Sequence, residues 1–305
     1  MNKYDRRRKY YMVLDCETAT LPCAKGMTEE QRKNVAIAKP LIYDFGWKII
    51  DRHGNVYNSE NFLISEIFSV PSIFDTAYYA EKRPIYLEKL RKGEIVLTDW
   101  QTAMTAFIAD LEAVEAVGAY NSMFDFKKAI PFTELYISKL YSADYHNWLK
   151  WQERSCEWLA NGGKATGQHE FEENIFRFRG KCYPMFDIWG LTCKHILNCD
   201  EYKEMCIDQG WETASGKYFK TSAETAFRFF SGNMAFDEAH TAIDDCDIEP
   251  LALRGDQAPR WARRVSVSRS SCRMLWQPRA SATGLRKARG RRPQTYVSAG
   301  FRSRQ

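Results

Sequence analysis

Residues 10–21 read YYMVLDCETATL. The Tyr, Val and Leu content predicts a buried β-strand over residues 10–17, and its end carries two carboxylates, Asp15 and Glu17. Residues two apart on a strand project to the same face, so the two acids share one side of the sheet. Held together beside an apolar strand they repel and lose hydration, a cost that a divalent cation offsets. Oxygen ligands of this kind suit Mg²⁺ or Mn²⁺. The alternative, on this stretch alone, is a pair of acids marking the strand's exposed end. Two other D-x-E pairs, Asp110/Glu112 and Asp247/Glu249, lie in helical patterns where residues two apart diverge by about 200° around the axis. They are expected on solvated helix faces.

Working outward, PLIYDFGWKIIDRHGNVYNSENFLI (residues 40–64) gives two β-prone runs around a turn at residues 51–55, the pattern of a hairpin. Pro84 and Gly93 are placed to start and stop a short helix. The next helix begins at LTDWQ, where Thr98 and Gln101 have capping-box spacing, and carries Met104, Phe107, Ile108, Leu111 and Val114 at helical intervals. AVGAYN reads as a short buried strand, and the segment from Phe124 returns to helical character. Residues 142–180 form an aromatic and charged insertion whose Trp148, Trp151 and Trp158 either stack on unpaired bases or pack internally. CYPMFDIWGLTCKHIL suggests a strand running into a helix, with Asp187 capping or orienting the helix start. A last amphipathic helix is capped at Thr221 or Ser222 and ended by Gly232. Strands first, then strands alternating with helices, predict an α/β domain with a mixed sheet flanked by helices.

Two segments add acids to the first pair. In GAYNSMFDFKKA, Asp125 follows a buried strand and sits between Phe124 and Phe126; in DEAHTAIDDCDIEP, His240 precedes Asp245 by five residues. Asp244 rivals Asp245, but neighbours on a helix point about 100° apart and both cannot serve equally. The order D-x-E, N-x-x-x-D, H-x-A-x-x-D over residues 9–250 resembles the DEDDh (DnaQ-like) 3′–5′ exonucleases. That resemblance implies an RNase H-like fold and two divalent cations, Mg²⁺ or Mn²⁺. It also implies hydrolysis of phosphodiester bonds from a 3′ end, releasing nucleoside 5′-monophosphates. Carried over by position, Asp15, Glu17, Asp125 and Asp245 would be metal ligands, His240 the general base, and Thr18 and Asn121 contacts to substrate. The partners implied are single-stranded DNA or 3′ ends of duplex DNA, with RNA as the alternative substrate and a DNA polymerase as a candidate protein partner. A noncatalytic binding module of the same fold is the competing class, and it has no need of clustered negative charge.

The net charge of +5 conceals two unlike parts. Residues 251–305 hold 13 Arg, one Lys and one acid, a balance of +13, whereas 1–250 hold 30 basic and 38 acidic residues, a balance of −8. The expected organisation is therefore an exonuclease domain over 1–250 and an Arg-rich tail over 251–305 that is disordered or non-native. A role for that tail would be nonspecific attraction to phosphate backbones. No window offers the roughly 18 consecutive apolar residues of a membrane span, and the N-terminal stretch lacks a leader pattern. Nine cysteines without a C-x-x-C pair indicate neither a zinc ribbon nor a disulfide framework, so reduced thiols in the cytoplasm are expected.

Overall fold

The strand opened by Tyr10 extends to Ala19 (β1) and lies at the centre of a seven-stranded sheet. Its partners are β2 (Leu41–Asp51), β3 (Val56–Ile64), β4 (Val96–Thr98), β5 (Ala116–Ala119), β6 (Ile175–Phe178) and β7 (Lys181–Asp187). They stand in the order β4-β3-β2-β1-β5-β7-β6. β2 runs antiparallel to β3, as the hairpin pattern predicts, and β1 antiparallel to β2, while β5 and β7 run parallel to β1. The sheet is therefore mixed. The computed structural model describes residues 4–5, 8–163, 175–213 and 218–248, all within one compact unit that spans Met1–Ser266. The 251–305 tail lies outside the described residues.

The longer helices are α1 (Glu29–Ala38), α2 (Arg83–Lys92), α3 (Trp100–Leu111), α4 (Ile130–Leu140), α5 (Tyr145–Ala160), α6 (Asp200–Asp208), α7 (Ala223–Ser231) and α8 (Ala242–Ile248). Strand alternation divides β1 between two cores. Met12, Leu14 and Cys16 point into the larger one with Phe45, Trp47, Trp100 and Phe107. Val13 points into the smaller one with Ile50, Ile188, Tyr202, Phe229 and Cys246. Helices thus cover both faces, which is why every residue of β2 is buried. No helix among the described residues is long and apolar enough to cross a membrane.

Local signals set most helix ends. Pro84 lies in the first turn of α2 and Gly93 closes it in the left-handed conformation; Ser222 caps α7 and Gly232 ends it likewise. The Asp187 carboxylate accepts from Gly190 N at 2.9 Å, the expected cap. α3 differs from expectation. Its cap is Asp99, which accepts from Thr102 N at 2.8 Å, because Thr98 is held in β4.

Two further expectations are corrected, and one left open is resolved in part. Asp110 is not solvated: it is buried on α3 and accepts from Tyr4 Oη at 2.6 Å, Asn58 Nδ2 at 2.6 Å and Trp47 Nε1 at 3.0 Å. Its burial is tolerated because three donors replace water, and those donors come from segments remote in the chain that helical spacing does not reveal. The thiols are not all reduced, for Cys23 and Cys156 are joined as a disulfide. A separation of 133 residues leaves no spacing signature. The bond ties α5, within the insertion, to the turn that follows β1. The insertion itself is partly core: Trp148 packs on Tyr136, whereas Trp151 and Trp158 are exposed. Its residues 164–174 lie outside the described residues.

Candidate metal and catalytic site

Asp15 and Glu17 continue the Val13 face of β1 past the point where the smaller core ends. The β1/β2 register pairs Glu17 with Asp44 and then slips, so that Thr18 pairs with Ile42 and Tyr43 is left as an extra residue. A bulge at this place bends the strand end and re-aims its side chains. Asp44 lies on the same side of the sheet as Glu17, fully buried. Its Oδ1 accepts from Asn61 Nδ2 at 2.6 Å and its Oδ2 from Ala242 N at 2.9 Å. The second bond satisfies a backbone donor in the first turn of α8 that no helical carbonyl reaches.

α8 approaches the sheet closely because β2 presents Gly46 beneath it. A Cβ at Gly46 would lie 2.8 Å from Ile243 N and 2.9 Å from the Ala242 carbonyl carbon. Cys246 Sγ completes the seat by donating to the carbonyl of Val13 or Gly46, each 3.6 Å away. The helix phase then resolves Asp244 from Asp245. Asp244 turns outward to Lys89 Nζ and Thr241 Oγ1, both at 2.6 Å. Asp245 turns inward and is buried.

His240 stands in the loop before α8, which is moored to the α2 region by Lys82 Nζ donating to Ala239 O at 2.8 Å and Tyr86 Oη to His240 O at 3.4 Å. Its φ of 51° is one of two positive values among non-glycine residues described, a conformation that costs energy and recurs at functional sites. The imidazole stacks on Tyr79, with centroids 4.3 Å apart and planes at 16°. Nε2 lies 3.3 Å from Tyr79 Oη and Nδ1 lies 3.6 Å from Glu238 Oε2.

Of the residues singled out in the sequence, Glu17, His240 and Asp245 converge most tightly. One ligand atom from each lies within 4.8 Å of the others. Asp15 is outside that triplet but interacts electrostatically with Glu17, Asp125 and Asp245. Asp125 is buried at the start of a single π turn, its backbone N bonded to the Asn121 carbonyl at 3.1 Å. π turns of this kind are frequent at functional sites. Thr18 is half-buried just beyond the bulge and Asn121 is exposed; neither is among the converging ligand atoms.

Burial is the main cause of the electrostatic strain. It raises the Asp15 carboxyl to about 7, with Asp44 and Glu238 adding to the effect, and the Asp245 carboxyl to about 9, with Asp15 and Glu238 adding. Glu17 and Asp125 are pushed well above the carboxylate range by burial and then by the Asp15 charge. Asp44 rises only to about 6, because the bonds from Ala242 N and Asn61 oppose its burial. Glu238 rises to about 7, chiefly by burial. His240 moves the other way, lowered by burial and by the Lys82 charge.

Such a cluster needs either protons or a cation. Asp245 Oδ1 is buried without a hydrogen-bond partner, which leaves its lone pairs free for a ligand. The carboxylates form a hard oxygen donor set that fits a divalent cation such as Mg²⁺ or Mn²⁺. Sequence reasoning missed two members. Asp44 interrupts the apolar run LIYDFGW of β2, an anomaly like that of Asp15 in β1, and Glu238 lies two residues before His240. No family model, curated protein or solved structure matches the chain.

Proposed function

We propose that the chain is a metal-dependent 3′–5′ exonuclease of the DEDDh class on an RNase H-like fold. On this reading it hydrolyses DNA from the 3′ end to nucleoside 5′-monophosphates. The observation that carries the reading is the meeting of Glu17, from the first strand, with His240 and Asp245, from more than 200 residues later, within 4.8 Å. A sheet with three antiparallel strands followed by two parallel to the first supports it. So does the pairing of acids on adjacent strand ends with an acid on a helix packed across them.

Asp15, Glu17, Asp125 and Asp245 would hold the cations, which when bound neutralise the phosphate and stabilise the charge that develops on it. His240 accepts the proton of the attacking water at Nε2. Burial and Lys82 keep it neutral near pH 7, the state in which a base works. Glu238, facing Nδ1, stabilises the imidazolium that forms. Asp44 acts at one remove: by holding Ala242 N it sets the position of α8 and therefore of Asp245.

The test is incubation of purified protein with Mg²⁺ or Mn²⁺ and 5′-labelled single-stranded DNA, duplex DNA and RNA in parallel. A descending ladder is expected on DNA, abolished by EDTA and by Asp15→Asn. A ladder on RNA alone would make the chain an exoribonuclease of the same chemistry. The absence of a ladder on all three would sink the enzymatic reading.

A further inference from the structure

Beside the acids, at the same edge of the sheet, one large aromatic ring is exposed yet held firmly. Trp189 follows the end of β7, which runs parallel to β5 with Asp187 opposite Ala119. The β1/β5 register pairs Val13 with Gly118; carried two residues on, it sets Asp15 level with Tyr120. Trp189 N donates to that Tyr120 carbonyl at 3.2 Å. The residue therefore stands at the carboxyl end of the parallel strands, two residues after Asp187, whose charge bears on Asp125. In open α/β sheets this is the edge where ligands bind.

Its anchorage is specific. Trp189 Nε1 donates to Thr221 Oγ1 at 2.8 Å, and Tyr120 Oη donates to the Thr221 carbonyl at 2.7 Å, so one threonine orients both rings. Asp187 secures the segment from the other side, with Oδ1 accepting from Ser122 N at 3.1 Å and Ser122 Oγ at 3.0 Å, while Oδ2 caps Gly190 N. The polar end of the indole is thus satisfied, and the residue as a whole remains 46% exposed. An aromatic serving only as core is buried on its faces; one held at its nitrogen and left open presents a flat surface to a ligand.

We propose that Trp189 is a stacking platform for an unpaired nucleobase of the substrate, making single-stranded nucleic acid the preferred ligand of this edge. The inference rests on the exonuclease reading for the identity of the ligand. Stacking is indifferent to base identity because every base has a π face, and it requires the base to be free of a complementary strand. Neither metal ligation nor proton transfer involves the indole, so its role is in binding.

The decisive experiment compares wild type, Trp189→Ala and Trp189→Phe by fluorescence anisotropy of a labelled oligothymidine, with EDTA present so that no turnover is needed. The full chain is used at about 0.2 M salt, where backbone attraction by basic segments is weakened. Trp189→Ala is expected to raise Kd about tenfold and Trp189→Phe to remain within about threefold of wild type, the range of one base–aromatic stack. The melting temperatures of all three should agree, so that a lost fold is not read as lost stacking. Equal Kd for wild type and Trp189→Ala, or no binding by wild type, would overturn the proposal. Binding lost in Trp189→Ala by a wild type that leaves no ladder with Mg²⁺ would support the platform and refute the nuclease. A wild-type ladder with unchanged Kd in Trp189→Ala would do the reverse.

Discussion

His240 illustrates how much one side chain depends on its setting. A histidine in open water titrates near 6.5; here burial and the neighbouring Lys82 lower that value, and Tyr79 covers one face of the ring. The loop holds it at positive φ, so its position is imposed by the bonds from Lys82 and Tyr86 to the loop carbonyls. His240→Ala is expected to reduce turnover by about 10²- to 10⁴-fold, the usual contribution of a general base. The rise in melting temperature produced by Mn²⁺ should persist, because the carboxylates remain. Unchanged turnover would show that another group takes the proton. The motif spacing marked His240 and Asp245 in the sequence, since both lie within one short segment. It left Asp44 unmarked because its partner Ala242 is distant along the chain, and Glu238 because only the folded loop turns it toward His240 Nδ1.

At the scale of elements, the seat of α8 on β2 determines whether the acids meet. Gly46 removes the side chain that would keep the helix away, and Asp44 binds its first turn. Gly46→Ala is expected to cost about 1 to 3 kcal/mol in chemical denaturation, the range for overpacking a filled site. Because the clash is with helix backbone, Asp245 should also be displaced and the apparent affinity for Mn²⁺ should fall. Full retention of both stability and affinity would show that α8 has room to spare. The strand, the hairpin and the caps at Ser222 and Gly93 were legible because each is a local pattern of a few residues. The Asp99 cap and the buried Asp110 were not, since β4 pairing decides the first and donors from Trp47, Asn58 and Tyr4 decide the second.

For the whole molecule, crowding of buried acids makes stability depend on pH and metal together. Asp44, Asp15 and Asp245 have folded values of about 6, 7 and 9, all above the ordinary value near 4 that applies to the unfolded chain. Between these limits the folded state holds more protons, so stability falls as pH rises. In EDTA the melting temperature is expected to fall from about pH 5 to about pH 9 and then level. Mg²⁺ or Mn²⁺ should oppose the fall most strongly at the alkaline end, where the carboxylates are ionised and the cation replaces the missing protons. Calorimetry across that range with and without the cation tests this; a metal-free protein that gains stability toward pH 9 would contradict it.

By itself the sequence determined that a buried strand ends in two acids on one face, since alternation along a strand follows from backbone geometry alone. It also determined an α/β alternation of elements and placed a histidine five residues before an acid. Tertiary structure alone decided which acids share a site, that Asp245 faces inward while Asp244 pairs with Lys89, that Asp44 and Glu238 join them, and that Cys23 meets Cys156. Those outcomes depend on helix phase, strand register and the close approach allowed by Gly46. Most are relations between segments more than 100 residues apart, and no local pattern of residue types encodes them.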